Sequence, residues 1–200
     1  MRSIASLCSV GLAVGLSIVV AVGLGACEAG ELPPDLEAGR DLAAQAAADL
    51  AGQPDDLALG ISSQILLTLD DGAVTVAQLA RRYAGRAEVL AYAQRMVAAH
   101  AAHFEAVARF DGERGIVPQD GRVTAVLRDD REDDVAFLET HRPIDVAYMS
   151  NQVRTHEAAL RIVAALVEAH RDPAFRGVLA DTQDLLGEHL ADAEAILRGL

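Results

Sequence analysis

Hydrophobic residues recur at helical spacing along most of the chain, and the clearest case covers residues 86–110. Apolar side chains return there every three or four residues, which is the period of a helix with one buried face. The positions are Val89, Ala93, Met96, Phe104 and Val107. The same period occurs over residues 56–84, 143–170 and 172–197, and no segment alternates as a strand does. The pattern predicts an all-α fold, a four-helix bundle.

Local signals refine the helix ends and the connection between the second and third helices. Asp172 followed by Pro173 is a typical helix start, with an N-cap side chain and a proline in the first turn. Residues 112–142 contain three glycines, a proline and the charged run at 128–134. We therefore expect an irregular, solvated connection with a short helical piece at 135–140. It is long enough to cross the whole bundle, as the crossover of a ferritin-like fold does.

The first 26 residues have the composition of an export signal. Arg2 supplies a positive start, residues 7–24 are apolar and uncharged, and small residues precede Cys27. The run Leu24-Gly25-Ala26-Cys27 resembles the lipobox of bacterial lipoproteins. That resemblance implies cleavage before Cys27 and attachment of a lipid to its sulfur. An ordinary signal peptide with an incidental cysteine and a retained transmembrane helix are the alternatives.

These features divide the chain into three parts. Residues 1–26 are the signal peptide, 27–55 a lipidated tether with an Ala-rich helix at 36–50, and 56–200 the bundle. The expected location is the cell envelope, with the lipid on Cys27 as the membrane partner. The protein would face the periplasm from the outer membrane, or lie on the outer face of the plasma membrane. The other cysteine, Cys8, lies in the signal, so the bundle is expected to hold no disulfide.

The charge balance excludes one class of partner. The chain has 30 Asp and Glu residues against 17 Lys and Arg, for a net charge of −13. Such acidity argues against nucleic-acid binding. The chain has no Gly-x-Ser-x-Gly and no glycine-rich phosphate loop, so a non-enzymatic domain is favoured over an enzyme. Its protein or small-molecule partner is not specified by these patterns.

Three segments carry a resemblance to a known family. They are AEVLAYAQRMVAAH at 87–100, DVAYMSNQVRTH at 145–156 and LLGEHL at 185–190. From about residue 61 to 197 the chain resembles a bacterial family catalogued as domain of unknown function 4142. Its members are often labelled predicted outer membrane proteins and are regarded as ferritin-like. The resemblance implies a ferritin-like envelope domain without an established activity. An acidic residue usual near the end of the family's first helix is absent here, where residues 73–76 read AVTV.

Three of the predicted helices carry a histidine near the middle of the apolar face. His100, His156 and His189 lie 14, 13 and 16 residues after the starts at Arg86, Pro143 and Pro173. At about 1.5 Å per residue, their heights agree within roughly 5 Å. With His103 one turn from His100, they form a candidate site for zinc, copper or iron. The alternative is a structural layer in which each histidine is bonded to a threonine, a tyrosine or a backbone carbonyl, and Thr68, Thr182 and Tyr148 are available for that.

A ferritin-like di-iron centre is disfavoured. Such a site needs inward carboxylates and a Glu-x-x-His pair on each of two helices, and the chain contains no Glu-x-x-His. Asp70 lies roughly 140° from Ile65 on the helical wheel and is expected to face outward. His141 and His170, at helix ends, are expected to be exposed.

Two functional hypotheses remain. One is a membrane-anchored binding or structural domain without catalysis. The other is a metal-binding, ferritin-like protein that uses the histidine layer. No organic cofactor is expected, and a transition metal ion is the one candidate.

Overall fold

The computed structural model describes residues 38–200, with side chains from Leu42 onward, and this part of the chain forms six α-helices. They are α1 (Ala38–Leu50), α2 (Asp55–Tyr83), α3 (Ala87–Arg114), α4 (Arg122–Thr140), α5 (Ile144–Ala169) and α6 (Pro173–Leu197). No strand occurs in residues 38–200, so the predicted all-α bundle is confirmed. The predicted signal peptide, the lipid on Cys27 and the start of the tether lie outside the described residues.

The four long predicted helices correspond to α2, α3, α5 and α6, and the Ala-rich segment to α1. Asp172 caps α6 as expected, because its carboxylate accepts a hydrogen bond from the Phe175 amide at 2.8 Å. The predicted apolar face of α3 is buried at Val89, Ala93, Met96 and Val107. Phe104 departs from it and is 37% exposed.

The segment before α5 differs from the prediction of an irregular connection, because residues 122–140 form one continuous helix, α4. Val123 and Leu138 are fully buried near its two ends, while the charged run between them is half-buried or exposed. The carboxylate of Asp49 accepts a hydrogen bond from the Arg122 amide at 3.0 Å and so caps the helix start. Because every residue from 128 to 134 is charged, the apolar residues on either side give too weak a helical period to predict one continuous helix.

The helix α4 crosses the length of the bundle. Its preceding loop lies beside the start of α2, where the Gln119 amide donates to the Gly60 carbonyl at 2.9 Å. A Cβ atom at Gly60 would lie 2.5 Å from the Val117 carbonyl oxygen, so only glycine fits this approach. At the other end, Asp145 of α5 accepts from the amides of Gly85 and Arg86, just after α2. Hence α3 and α5 run in the same direction.

The core consists of two hydrophobic clusters separated along the bundle axis. One includes Ile65, Leu66, Ile162 and Phe175. The other includes Tyr92, Met96, Tyr148 and Met149. The buried polar residues between them come from four helices: Thr68, Asp70, His100, Asn151, Gln152, His156, Thr182 and His189. A polar layer therefore interrupts the core at mid-height.

Among the described residues, α2 is the one helix long and apolar enough to cross a membrane by length and composition. Half of its apolar window is buried inside the bundle. That burial is typical of the core helix of a bundle, and α2 packs against both α3 and α4.

Candidate metal centre

Three histidines from three helices converge in the polar layer. His100 of α3, His156 of α5 and His189 of α6 are 2%, 3% and 8% exposed. Their ring centroids lie 5.1 to 5.8 Å apart. One nitrogen of each ring lies within 4.8 Å of the corresponding nitrogens of the other two. The predicted meeting of these residues at one height is confirmed, and we call them the histidine trio.

Asp70 orients the first member of the trio. Its carboxylate accepts a hydrogen bond from His100 Nδ1 at 2.8 Å, which leaves His100 Nε2 with a lone pair. Asp70 is 2% exposed, so the expectation that it faces outward is wrong. The wheel argument assumed that α2 has one buried face. Because α2 packs against α3 on one side and α4 on another, a residue turned away from Ile65 is buried too.

His103 lies outside the histidine trio. Its Nδ1 donates to the second oxygen of Asp70 at 2.7 Å, and its Nε2 lies 2.9 Å from the Thr182 hydroxyl. Both ring nitrogens are therefore engaged. His103 instead supports the site, because it holds the carboxylate that orients His100.

His156 has a free nitrogen in the layer. Its Nδ1 donates to the main-chain carbonyl of Gln152 at 2.8 Å, which fixes the tautomer with a lone pair on Nε2. Among the described residues Nε2 has no hydrogen-bond partner, although it is buried. His189 Nδ1 lies 3.2 Å from His100 Nε2. That separation suits a hydrogen bond, and it also suits two nitrogens bound tetrahedrally at about 2.0–2.1 Å to one zinc ion.

The surroundings keep two of these imidazoles, those of His156 and His189, neutral. Burial, followed by the neighbouring His100 ring, lowers the pKa of His156 to about 3. The same two causes lower the pKa of His189 to about 4. Removal from water disfavours the charged ring, and a neutral imidazole is the form that binds metals.

A pocket leads to the trio from one side. It has a cavity volume of about 100 Å³ and is lined by residues of α2, α4, α5 and other helices, including His100, His156 and Gln152. The half-buried side chains of Arg131 and Arg154 also line it. They form ion pairs with Asp71 and Asp134, respectively. The buried site is thus adjacent to a route from the surface.

Residues 40–196 match the family model described as Domain of unknown function (DUF4142). The chain belongs to this family. It matches no curated protein and no solved structure. The family description names no activity, so the function has to be argued from the site itself.

The side chains expected to bond the histidines in a structural layer mostly do not contact the trio. Thr68 donates to the carbonyl of Gln64 at 2.7 Å, and the Tyr148 hydroxyl has no partner among the described residues. Only Thr182 bonds a histidine, and that histidine is His103. A backbone carbonyl, the other partner expected in a structural layer, does bond one member of the trio, since His156 Nδ1 donates to the Gln152 carbonyl.

The two end histidines differ from each other. His141 is exposed as expected. The expectation for His170 is wrong, because it is 6% exposed and its Nε2 lies 2.7 Å from the Ser62 hydroxyl. The chain after α5 turns inward, and α2 supplies a hydroxyl to meet the ring.

The sequence did carry a signal for the missed Asp70. Ser63 and Asp70 are seven residues apart in α2, so they share one face after two turns. Both contact α3, since Ser63 donates to Asp111 and Asp70 accepts from His100. Polar residues that recur seven positions apart in an apolar helix indicate a second, polar packing face.

Proposed function

We propose that this protein is a non-enzymatic metal-binding module that holds one zinc or copper ion at the histidine trio. The ligand atoms would be His100 Nε2, His156 Nε2 and His189 Nδ1. Each of the first two rings has its other nitrogen hydrogen-bonded, to Asp70 and to the Gln152 carbonyl. Such outer partners orient metal-ligating histidines and increase their basicity.

The observation that carries the proposal is the unpartnered Nε2 of His156. A buried acceptor without a hydrogen bond costs about 1–3 kcal/mol. Here it lies among the described residues beside two other imidazoles within 4.8 Å. An ion bound between the three rings would satisfy that lone pair.

The donor set favours zinc or copper over a di-iron centre. The cluster consists of three imidazoles and, among the described residues, includes no carboxylate and no thiolate. Imidazole suits zinc and copper, whereas a ferritin-like di-iron site requires several carboxylates that bridge the ions. Asp70 is already engaged by two histidines.

A purely structural polar layer is the second candidate. It is favoured by the 3.2 Å contact between His189 Nδ1 and His100 Nε2, which connects two helices without an ion. Under that interpretation the trio would specify how α3, α5 and α6 align, and added metal would not matter.

Thermal unfolding separates the two candidates. Residues 28–200 contain all six described helices and can be compared with zinc, with copper and with chelator. At an ion concentration 100 times its dissociation constant, binding adds about 2.7 kcal/mol, or roughly 5–10 °C in a domain of this size. His156→Ala should abolish that rise. A wild-type melting temperature insensitive to ions and chelator would favour the structural layer.

We further propose that the module is anchored in the cell envelope through a lipid on Cys27. The support is the sequence of residues 1–27, with its charged start, apolar run and small residues before the cysteine. Cys27→Ala should block processing or release the protein from membranes, and cell fractionation with gel mobility measures both. Retention of the variant in membranes at normal mobility would refute the anchor and leave the metal site untouched.

A further inference from the structure

The geometry points to an exogenous ligand: we propose that the pocket beside the trio delivers a small monoanion that carries a hydroxyl group, such as a hydroxycarboxylate, to the bound metal. The inference rests on the proposed metal site. It adds the fourth coordination position, the route to it and the chemistry of what fills it.

The position of the pocket fixes where the fourth ligand enters. Two of the three ligand histidines, His100 and His156, line the pocket, whereas His189 does not. An ion bound by all three rings therefore presents its open side to this cavity. The cavity volume of about 100 Å³ is several times the ~10–15 Å³ that one water needs on the same measure, so a small organic molecule fits.

Charge at the site favours an anion. Three neutral imidazoles leave the two positive charges of the ion unchanged, and Asp70 offsets one of them through His100. An unpaired charge in a buried site is costly. Arg131 and Arg154 line the pocket together with Asp130 and Asp134, so these four side-chain charges balance one another. A single negative charge on the incoming ligand therefore balances the charge that remains on the ion.

Gln152 supplies the second element of recognition. Its side-chain oxygen is buried, lines the pocket and has no partner among the described residues. Its side-chain nitrogen donates to the Asn151 oxygen at 3.2 Å, which fixes the amide with its oxygen as the free acceptor. A ligand hydroxyl can donate to that oxygen while the carboxylate binds the ion.

Cobalt substitution provides the readout. The visible absorption of Co²⁺ bound to residues 28–200 reports first whether the trio binds metal, and then whether glycolate or acetate enters its coordination sphere. Glycolate should change the spectrum in a saturable way and bind more tightly than acetate. Gln152→Leu keeps the main-chain carbonyl that orients His156. It should weaken glycolate about tenfold and acetate by less than about twofold.

Gly72 offers a test of the route. It lines the pocket, and a Cβ atom placed on it meets nothing within 4 Å, so a side chain is tolerated there. Gly72→Leu should weaken glycolate by at least about tenfold without changing the ligand-free Co²⁺ spectrum. Gly177 is a matched control on α6, since it also has open space and lies outside the pocket. Gly177→Leu should leave glycolate binding unchanged.

The outcomes are distinguishable. No Co²⁺ absorption from the trio contradicts the proposed metal site itself. If Co²⁺ binds and its spectrum changes with neither anion, the proposal of an exogenous ligand is wrong and the proposed metal site is still supported. Equal glycolate affinity in Gly72→Leu and wild type overturns the route. A preference for glycolate that survives Gln152→Leu overturns the role of Gln152.

Discussion

The bundle contains two buried histidine regions that differ in how their polar atoms are satisfied. Near one end, His170 and Ser62 form a pair at 2.7 Å, and neither has a buried polar atom without a partner among the described residues. At mid-height, the trio has His156 Nε2 unpartnered and Gln152 beside it with a free oxygen. Both regions are buried and both follow from helix packing. Burial of a histidine therefore does not by itself mark a ligand site, and the proposed metal site rests on the unpartnered nitrogen of His156 beside two other imidazoles.

The largest expected effect comes from Asp70. Asp70→Ala removes the acceptor of two imidazole N–H groups, on His100 and His103, and should lower the free energy of unfolding by about 2–5 kcal/mol. Urea unfolding at neutral pH measures it. Asp71→Ala is the matched control, because its side chain is 56% exposed in an ion pair with Arg131. That change should cost about 1 kcal/mol or less. Equal costs for the two variants would show that Asp70 does not organise the layer.

The next prediction compares the zinc affinity of variants in the two histidine regions. Asp70→Asn keeps the shape of the side chain and removes the charge that orients His100, so zinc affinity should fall about 10–100-fold. Ser62→Ala leaves His170 Nε2 without its hydrogen-bond partner and should lower the free energy of unfolding by about 1–3 kcal/mol. Zinc affinity should not change. Competition titration with a zinc indicator measures both affinities. A comparable loss of affinity in Ser62→Ala would remove the distinction between the regions.

A further effect is a dependence of stability on pH in the presence of chelator. The folded-state pKa values of His156 and His189, about 3 and about 4, are lower than the unfolded value near 6.5. Their contribution to stability is therefore complete above about pH 6.5 and is lost as pH falls toward the folded values. Each histidine contributes a slope of up to about 1.4 kcal/mol per pH unit in that range. His156→Gln should reduce the slope by that amount between pH 4 and 6, as measured by urea unfolding. An unchanged slope would mean that His156 is protonated in the folded state.

Much of the layer could be predicted from residue spacing. The heights of His100, His156 and His189 followed from the number of residues after each helix start, because a helix rises by a constant amount per residue. The same reasoning could not assign His103, which lies one turn from His100 and faces Asp70 instead of the other rings. Its role depends on the rotation of α3 against α2, which the sequence does not determine.

The burial of Asp70 and the continuous helix α4 were missed for physical reasons. Burial of Asp70 depends on α2 having neighbours on more than one side, and a single apolar stripe does not reveal the second face. Helix α4 carries a charged run that hides its period, although Val123 and Leu138 anchor it in the core. In both cases tertiary packing determined the outcome where the local pattern was weak.

Metal content is the most direct test of the central claim. Residues 28–200, produced without a polyhistidine tag, would be loaded with zinc or copper, freed of excess ion and submitted to elemental analysis. We expect about one ion per chain in wild type and in His170→Ala, and less than about a tenth of an ion in His156→Ala. A wild-type chain that retains no metal would contradict the account, as would equal retention by His156→Ala.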